Sequence, residues 1–435
     1  MNSLRTVEKG GFNWLMDGLI GSLKVKKRTF FTTKLKQDYS NTKTALCMAL
    51  EKATDICTTA DMWTSHRRSY LGMTAHWKGE DLKRRSACLG IHRVKGSHTF
   101  DVIATEINKI HKEYKIKNKV NVMITDSGSN FLKAFRIFGP NELAEESENE
   151  EDDDFELNDD EDFVYIDLDK IFQEHDAQLA AQVIEQQTEE NEDADESDTE
   201  RQEEMELPYH VKCPCHLLNL IATTDIHKIT NPTFKKLKKS VDKKLQKIWN
   251  KQARSSLASD FIEEKLGSLF VLHNQTRWNS FFDALNFVHK CINTKITELE
   301  DIFQHFKVQT LSATEKEFIG EYVRVMEPFT QALDLLQDEE TMSIGCVIPT
   351  IKLLIEKIEE MSKDPTIIHC MPLVFAVLGG LHARFDRLMQ EKHLIIASLS
   401  DSMFKMIWVD EDDIKADCVT LLKGAVRRVK VNHTE

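Results

Sequence analysis

A strongly acidic segment divides this chain and limits what it can fold into. Residues 141–206 hold 30 aspartates and glutamates but only one lysine and one arginine, a net charge of −28. This density of like charges opposes collapse at neutral pH, because repulsion is strong and little apolar surface is available to bury. We therefore expect a disordered insertion here, with folded regions on either side of it.

The folded regions carry the opposite charge. The whole chain of 435 residues has a net charge of −15, so the 369 residues outside the acidic segment sum to +13. A basic body is compatible with binding to a polyanion. The nine cysteines are odd in number and scattered, which is typical of reduced thiols inside a cell. No apolar run reaches the length of a membrane span, so we expect a soluble intracellular protein with no membrane partner.

Strand and helix patterns alternate before the acidic segment. β-type runs predict three adjacent strands joined as a meander, then an amphipathic helix, a buried strand and a second helix. These elements fall at 53–65, 70–77, 86–93, 97–116, 120–125 and 130–138. A further short strand follows the acidic segment near residue 209, and the pattern from about 232 onward is almost wholly helical. The sequence thus predicts an α/β unit with a mixed sheet, followed by an all-α region.

Two aspartates lie on the predicted strands in positions suited to metal binding. Asp126 ends the fourth strand, and Asp61 follows β-type residues in the first. If these strands are neighbours, both carboxylates reach one place, and a Mg²⁺ or Mn²⁺ ion between them would offset their repulsion. Metal ions held in this way activate water in phosphodiester chemistry. The alternative is that an aspartate at a strand end only caps a helix or forms a turn.

Four motifs in a fixed order carry a resemblance to a known family. They are "TTADMWTS", "MITDSGSNFLKAF", "CPCHLLNL" and "QTRWNSFFDAL". Together they make the chain resemble the hAT transposases and their domesticated relatives, including BED-type zinc-finger proteins, from about residue 12 to 360. The resemblance implies an RNase H-like mixed five-stranded sheet and a long helical insertion domain. It also implies a nuclear protein that cuts and joins DNA with two aspartates, one glutamate and two divalent metals.

The same resemblance assigns roles to particular residues. Asp61 and Asp126 match the first two catalytic acids, and Cys213 and His216 match a Cys-x-x-His motif of unknown role. Arg277 and Trp278 match an Arg-Trp pair, which implies phosphate contact by the arginine and stacking of the tryptophan on a flipped base. From the residues alone, Trp278 is equally well a core tryptophan at the start of a helix, and this alternative stays open.

The sequence also departs from the family. The third acid, in a motif of the type Ser-x-x-x-Glu-Arg-x-Phe-Ser after the insertion, is not found; "SATEKEF" at 312–318 lies elsewhere and lacks the arginine. We find neither the C-terminal region through which family members dimerise nor a BED finger. We therefore expect a relic that does not catalyse transposition, with at most one Mg²⁺ held weakly by Asp61 and Asp126.

Two more clusters are candidate sites. His210, Cys213, Cys215 and His216 lie within seven residues, but neighbours on one strand or helix cannot all converge on a tetrahedral ion, so zinc is not expected. The basic stretch "FKKLKKSVDKKLQKIWNK" predicts an amphipathic helix whose lysines are solvated, contact DNA phosphates or form a nuclear-import patch. The lysines concerned are Lys235, Lys236, Lys238, Lys239, Lys243 and Lys244.

Five segments follow from these patterns. They are an N-terminal helical segment (1–52), the first part of the RNase H-like core (53–140), the acidic insertion (141–206), the continuation of the core (207–228) and a truncated α-helical insertion domain (229–435). The preferred interpretation is a domesticated or decayed hAT transposase-like nuclear protein that binds DNA. One alternative is a non-enzymatic transcription-regulating or protein-interaction scaffold that uses the acidic segment and the helical domain as partner surfaces. Another is a nuclease completed by a glutamate from a partner chain.

Overall fold

The structure is a computed structural model that describes most of the chain outside the acidic segment. The described residues are 4–20, 26–65, 68–81, 83–96, 98–140, 205–272, 278–338, 342–410 and 412–428. They form two compact units. The sheet unit comprises the described residues up to 140 together with 205–213, and the helical unit begins at Pro214. Residues 141–204 of the acidic segment lie outside the described residues.

The sheet unit contains a mixed five-stranded sheet with the order β3-β2-β1-β4-β5. β1 (Ile56–Ser65) pairs antiparallel with β2 (Arg68–Lys78), which pairs antiparallel with β3 (Arg84–Val94). β4 (Val120–Thr125) runs parallel to β1, and β5 (Tyr209–Lys212) runs parallel to β4. The predicted mixed five-stranded sheet is therefore confirmed, and its first and fourth strands are neighbours.

The helices of the sheet unit follow from the apolar spacing of the sequence. They are α1 (Gly10–Ile20), α2 (Arg28–Lys52), α3 (Phe100–Glu113) and α4 (Ser129–Phe138). α3 buries Ile103, Ile107 and Ile110, which are spaced three and four residues apart and so share one face of the helix. These side chains join Leu71 and Met73 of β2 in one apolar core. Fully burying a side chain of this size contributes about 1.5–3 kcal/mol.

The helical unit contains α-helices alone, apart from short 3₁₀ and π-helical turns, among the residues described from Pro214 onward. Its helices are α5 (Pro214–Leu220), α6 (Pro232–Arg254), α7 (Ser256–Leu266), α8 (Trp278–Thr294), α9 (Ile296–His305), α10 (Ala313–Gln337), α11 (Val347–Ser362), α12 (Met371–Phe385), α13 (Lys392–Ser400) and α14 (Asp412–Arg428). Phe234 of α6 packs on Phe318 of α10, with ring centroids 5.4 Å apart. The predicted helical region after the sheet is confirmed. No helix in the described ranges is both long and apolar enough to cross a membrane.

The two compact units divide between Cys213 and Pro214. β5 thus belongs to the sheet unit and α5 to the helical unit. The physical reason is that extended backbone ends at Lys212, and Pro214, which is well suited to a first helical turn, begins a new helix. The expected segment limits, with the RNase H-like core continuing over 207–228, stay a prediction.

Candidate functional site

Asp61 and Asp126 lie next to the last residues that pair β1 with β4. The register pairs Thr59 with Ile124 and Ala60 with Thr125. Asp61 is the next residue of β1, and Asp126 is the first residue after β4. Side chains alternate between the two faces of a sheet, and Ala60 and Thr125 are both buried. Asp61 therefore lies on the face opposite Ala60, and Asp126 follows at the end of the sheet where β4 stops.

The two carboxylates differ in their surroundings. Asp126 Oδ1 accepts a hydrogen bond of 3.1 Å from the backbone N–H of Gly128, which forms the turn that leads into α4. The turn-forming role weighed for this aspartate is thus present, and it engages one of its two oxygens. Asp61 is exposed, and no described side chain donates a hydrogen bond to it. The hydroxyl of Ser127, next in the chain to Asp126, is buried without a hydrogen-bond partner among the described residues.

The donor atoms at this edge suit a hard divalent cation. Carboxylate oxygens are the ligands that Mg²⁺ and Mn²⁺ prefer, whereas zinc favours histidine and cysteine. A Mg²⁺ ion with one or two protein carboxylates keeps its remaining positions for water or phosphate oxygens. Among the described residues, no group of three or more acidic, histidine or cysteine side chains is placed to hold a metal ion. Asp61 and Asp126 are therefore the two carboxylates that the described residues offer at this edge.

The Cys-x-x-His motif lies across the boundary between the units. Cys213 ends the sheet unit, where its N–H donates to the carbonyl of Thr125 over 2.7 Å. His216 lies in α5 of the helical unit, as does Cys215, whose Sγ lies 3.4 Å from the carbonyl oxygen of Leu336. His210, the remaining member of the cluster, lies in β5.

His210 is a structural residue of the sheet unit. Its ring stacks on Phe135 of α4 with centroids 4.2 Å apart, and its Nε2 lies 2.9 Å from the hydroxyl of Thr125. Burial is the main cause that lowers the pKa of His210, to about 4, and the charge of Lys212 adds to it. The neutral ring therefore holds β5 against β4 and α4.

The Arg-Trp pair is described only in part. Arg277 lies outside the described residues, and Trp278 is the first residue of α8. The roles expected for these two residues from the resemblance therefore stay predictions.

The lysines of α6 fall into two groups. Five of them recur every fourth residue and are exposed: Lys235, Lys239, Lys243, Lys247 and Lys251, here called the lysine row. The row runs obliquely across the face opposite the buried residues Val241, Leu245 and Ile248. At 1.5 Å per residue it extends over about 24 Å. No described acidic side chain lies within ion-pair distance of any of the five.

Lys238 and Lys244 belong to the other group. They lie three residues to either side of Val241, at the margins of the buried face, and both are held by acids. Lys238 Nζ lies 2.6 Å from Asp242 Oδ2. Lys244 Nζ lies 2.7 Å from Glu315 Oε2, and these two side chains are only 12% and 6% exposed. Both lysines were expected to contact DNA with their neighbours, whereas these pairs favour a structural role.

The lysines predicted from sequence to contact DNA did not include Lys247 and Lys251, the second half of the row. Lys236, which was included, is exposed but lies beside the row and not in it. Lys247 and Lys251 continue the spacing of Lys235, Lys239 and Lys243, so the signal was present in the sequence. It was obscured because the lysines were grouped by density along the chain and not by position around the helix.

Two comparisons with known proteins bear on this arrangement. Residues 59–149 match the family described as the ZBED1 RNase-like domain, and this stretch includes both Asp61 and Asp126. The chain is also similar to a putative AC transposase and a putative AC9 transposase of Zea mays, at 25% identity over 248 residues. These matches cover 55% of this chain, but only 24% and 23% of the two maize proteins. A putative transcriptional regulator, tpeD, of Talaromyces stipitatus is 26% identical over 87 residues, which is 20% of this chain and 10% of that protein.

Sheet topology and family match together define the sheet unit as an RNase-like domain. The resemblance to hAT transposases, predicted from four motifs, is confirmed by the family match over 59–149 and by the two maize relatives. Because the match spans about a quarter of each maize transposase, what those proteins do as a whole bears on this chain only as a proposal.

Proposed function

We propose that this chain is a DNA-binding protein that contacts the phosphate backbone through the lysine row of α6 and does not itself cut DNA. The observation that carries the proposal is the row itself: five ammonium groups along the exposed side of α6, none paired with a described acid. Displacing the cations condensed on DNA favours binding of such a surface without any base-specific contact. We expect binding that is strong at low salt and independent of sequence.

A salt titration of duplex binding by the full chain tests this proposal. Five phosphate contacts predict a slope of log K against log salt of about −4.5, which is about a 500-fold loss of affinity between 50 and 200 mM salt. Replacing the five lysines of the row by glutamine should bring the slope close to zero. The stability should hardly change, because these side chains are exposed and unpaired.

The helical unit offers a matched control for this change of charge. Lys290, Lys307, Lys357, Lys363 and Lys423 are also exposed and lie on or beside other helices. Replacing these five by glutamine alters the net charge equally, so it should leave most of the slope in place. If the two variants lose affinity equally, total charge and not the row governs binding. If the full chain binds no duplex at low salt, the scaffold alternative takes the place of this proposal.

The second half of the proposal concerns catalysis. The described edge supplies two carboxylates, which suit one divalent ion, whereas two-metal phosphodiester cleavage needs further fixed ligands. We therefore propose that Asp61 and Asp126 hold one Mg²⁺ or Mn²⁺ ion weakly and that this chain alone does not nick DNA. Calorimetric titration with Mn²⁺ should give one weak site in the full chain and none in Asp126→Asn. Nicking of supercoiled plasmid that requires Mn²⁺ and is lost in Asp126→Asn would contradict the inactive site and support the nuclease alternative.

We further propose that the protein resides in the nucleus. A transposase-like relative that binds DNA acts where the DNA is, and one similar protein is named a putative transcriptional regulator. The acidic segment and the helical unit are the surfaces we propose for protein partners. Imaging of the tagged full chain tests the location, and exclusion from the nucleus would contradict it.

A further inference from the structure

The sheet unit has a face that the core helices do not cover. Met62 of β1 and Leu71 of β2 are paired in register and belong to the core that includes α3. The residues before and after them on each strand therefore point to the opposite face of the sheet. In register, Trp63 of β1 lies beside Tyr70 of β2, which lies beside Arg93 of β3. We call this row and the one next to it, Asp61–Gly72–Ile91, the aromatic face.

The two aromatic rings of this face lie side by side, with Trp63 exposed and Tyr70 half-buried. Trp63 and Tyr70 stack with centroids 6.0 Å apart and an angle of 24° between the ring planes. Trp63 is 37% exposed and Ile91 59% exposed. The indole lies across Gly72, where an added Cβ would come within 2.7 Å of Trp63 Cζ3. Gly72 therefore provides the room that lets the indole lie flat on the sheet.

The charge around the rings is positive. Arg68 and Arg93 lie on the same face as Tyr70, and Lys78 and Arg84 extend it toward the other end of β2 and β3. Arg68 and Arg93 are exposed, and no described acidic side chain forms an ion pair with either. On the strand residues Ile56–Ser65, Arg68–Lys78 and Arg84–Val94, Asp61 is the one acid that faces this way.

We propose that the aromatic face binds an unpaired segment of a DNA strand, with a base stacked on Trp63 and phosphates contacted by Arg68 and Arg93. Rings that lie flat beside unpaired arginines match the alternation of base and phosphate along a single strand. In a duplex the bases are already stacked on one another, so no base is available to stack on Trp63. The proposal rests on the proposed function in that both require a nucleic-acid ligand, but it uses a different unit and a different form of DNA.

Fluorescence anisotropy with a labelled single strand of about 12 nucleotides and a blunt duplex tests the assignment on the full chain. Trp63→Ala should weaken single-strand binding about 5- to 150-fold, the range for loss of one stacked base. Trp63→Phe keeps a ring and should retain most of the affinity. Gly72→Ala should also weaken single-strand binding, because the added methyl group displaces the indole without removing it. Duplex affinity should stay the same in all three variants.

A tryptophan elsewhere in the sheet unit serves as the control. Trp14 of α1 is 80% exposed, so Trp14→Ala removes an exposed indole at a distance in the chain from the aromatic face. The inference is overturned if Trp14→Ala and Trp63→Ala weaken single-strand binding equally, if Trp63→Ala weakens duplex binding as much as single-strand binding, or if the full chain binds no single strand. If the lysine-row variant loses duplex binding but keeps single-strand binding, both the lysine row and the aromatic face are supported. Absence of duplex binding in the unaltered chain would overturn the lysine row alone.

Discussion

Two adjacent lysines of α6 should affect different properties of the protein when they are replaced. Lys244 Nζ contacts Glu315 Oε2 at 2.7 Å and the carbonyl of Thr310 at 3.0 Å, whereas Lys243 is exposed and unpaired among the described residues. Glu315 also accepts from the Ser240 hydroxyl at 2.6 Å and from the N–H of Ser312 at 2.7 Å, as part of the capping box that begins α10. We expect Lys244→Met to lower stability and Lys243→Met to lower DNA affinity.

The magnitude for Lys244 follows from the burial of the pair. Removing one partner of a buried ion pair costs about 3–5 kcal/mol, and two other donors to Glu315 remain, so we expect about 3 kcal/mol. For a unit of roughly 200 residues this corresponds to a decrease in Tm of about 6–12 °C. Burial raises the pKa of Glu315, but the hydrogen bonds from Lys244, Ser240 and Ser312 outweigh it and lower the pKa below its usual value. The stability from this carboxylate is therefore present above its unfolded pKa of about 4.3 and is lost as the pH falls through the lowered value.

Calorimetry and a salt titration of DNA binding separate the two roles. Lys243→Met should reduce the salt slope by about 0.9 with the Tm unchanged. Lys244→Met should reduce the Tm with the slope unchanged, and adding Glu315→Gln should recover part of the loss because the buried charge is removed as well. Equal losses of slope from the two single variants, with no change in Tm for Lys244→Met, would refute the division of α6 into a DNA-contacting row and structural margins.

Three other perturbations have defined outcomes. Burial lowers the pKa of His111 and of His210 to about 4, so both are neutral when folded at pH 6.5. Stability should therefore fall as the pH drops from about 6.5 to 4, by up to about 3 kcal/mol for each, and His210→Gln should flatten this dependence in denaturant titrations. Arg384 holds Asp225 through two hydrogen bonds of 2.7 and 2.9 Å, so Arg384→Met should cost about 2 kcal/mol by calorimetry, and an unchanged Tm would count against a structural role for this pair. Replacing 141–204 by a short flexible linker removes 29 acidic residues. A short linker suffices because the chain on either side of the segment is already in contact, with the N–H of Leu207 donating to the carbonyl of Phe138 at 2.7 Å. Duplex affinity should then rise at low salt and converge with that of the full chain at high salt, and equal affinity at all salt concentrations would contradict a role for this charge.

The sheet was predictable because its signals are local. Alternating β-type residues gave the three strands of the meander, and Ile103, Ile107 and Ile110 gave the face of α3. The expectation that Asp61 and Asp126 lie near each other required one more step, the adjacency of the first and fourth strands, which a crossover connection favours and which the sheet order confirms. The resemblance to a family supported the same arrangement.

Other features depend on contacts that sequence spacing does not encode. Lys244 looks like its neighbours in sequence, and only the approach of α10 places Glu315 beside it. The aromatic face required the register of β1, β2 and β3, because Trp63, Tyr70 and Arg93 come from three separate strands. The division of the chain at Cys213 likewise reflects packing that no composition change marks.

Chemical protection of lysines tests the central claim most directly, because it reports on every exposed lysine of the full chain in one experiment. The protein is acetylated briefly with and without duplex DNA, and the modified positions are quantified by mass spectrometry. We predict that the duplex protects Lys235, Lys239, Lys243, Lys247 and Lys251, and leaves Lys290, Lys307, Lys357, Lys363 and Lys423 unchanged. Protection of the second set, or of neither set under conditions where the DNA is bound, would contradict the account.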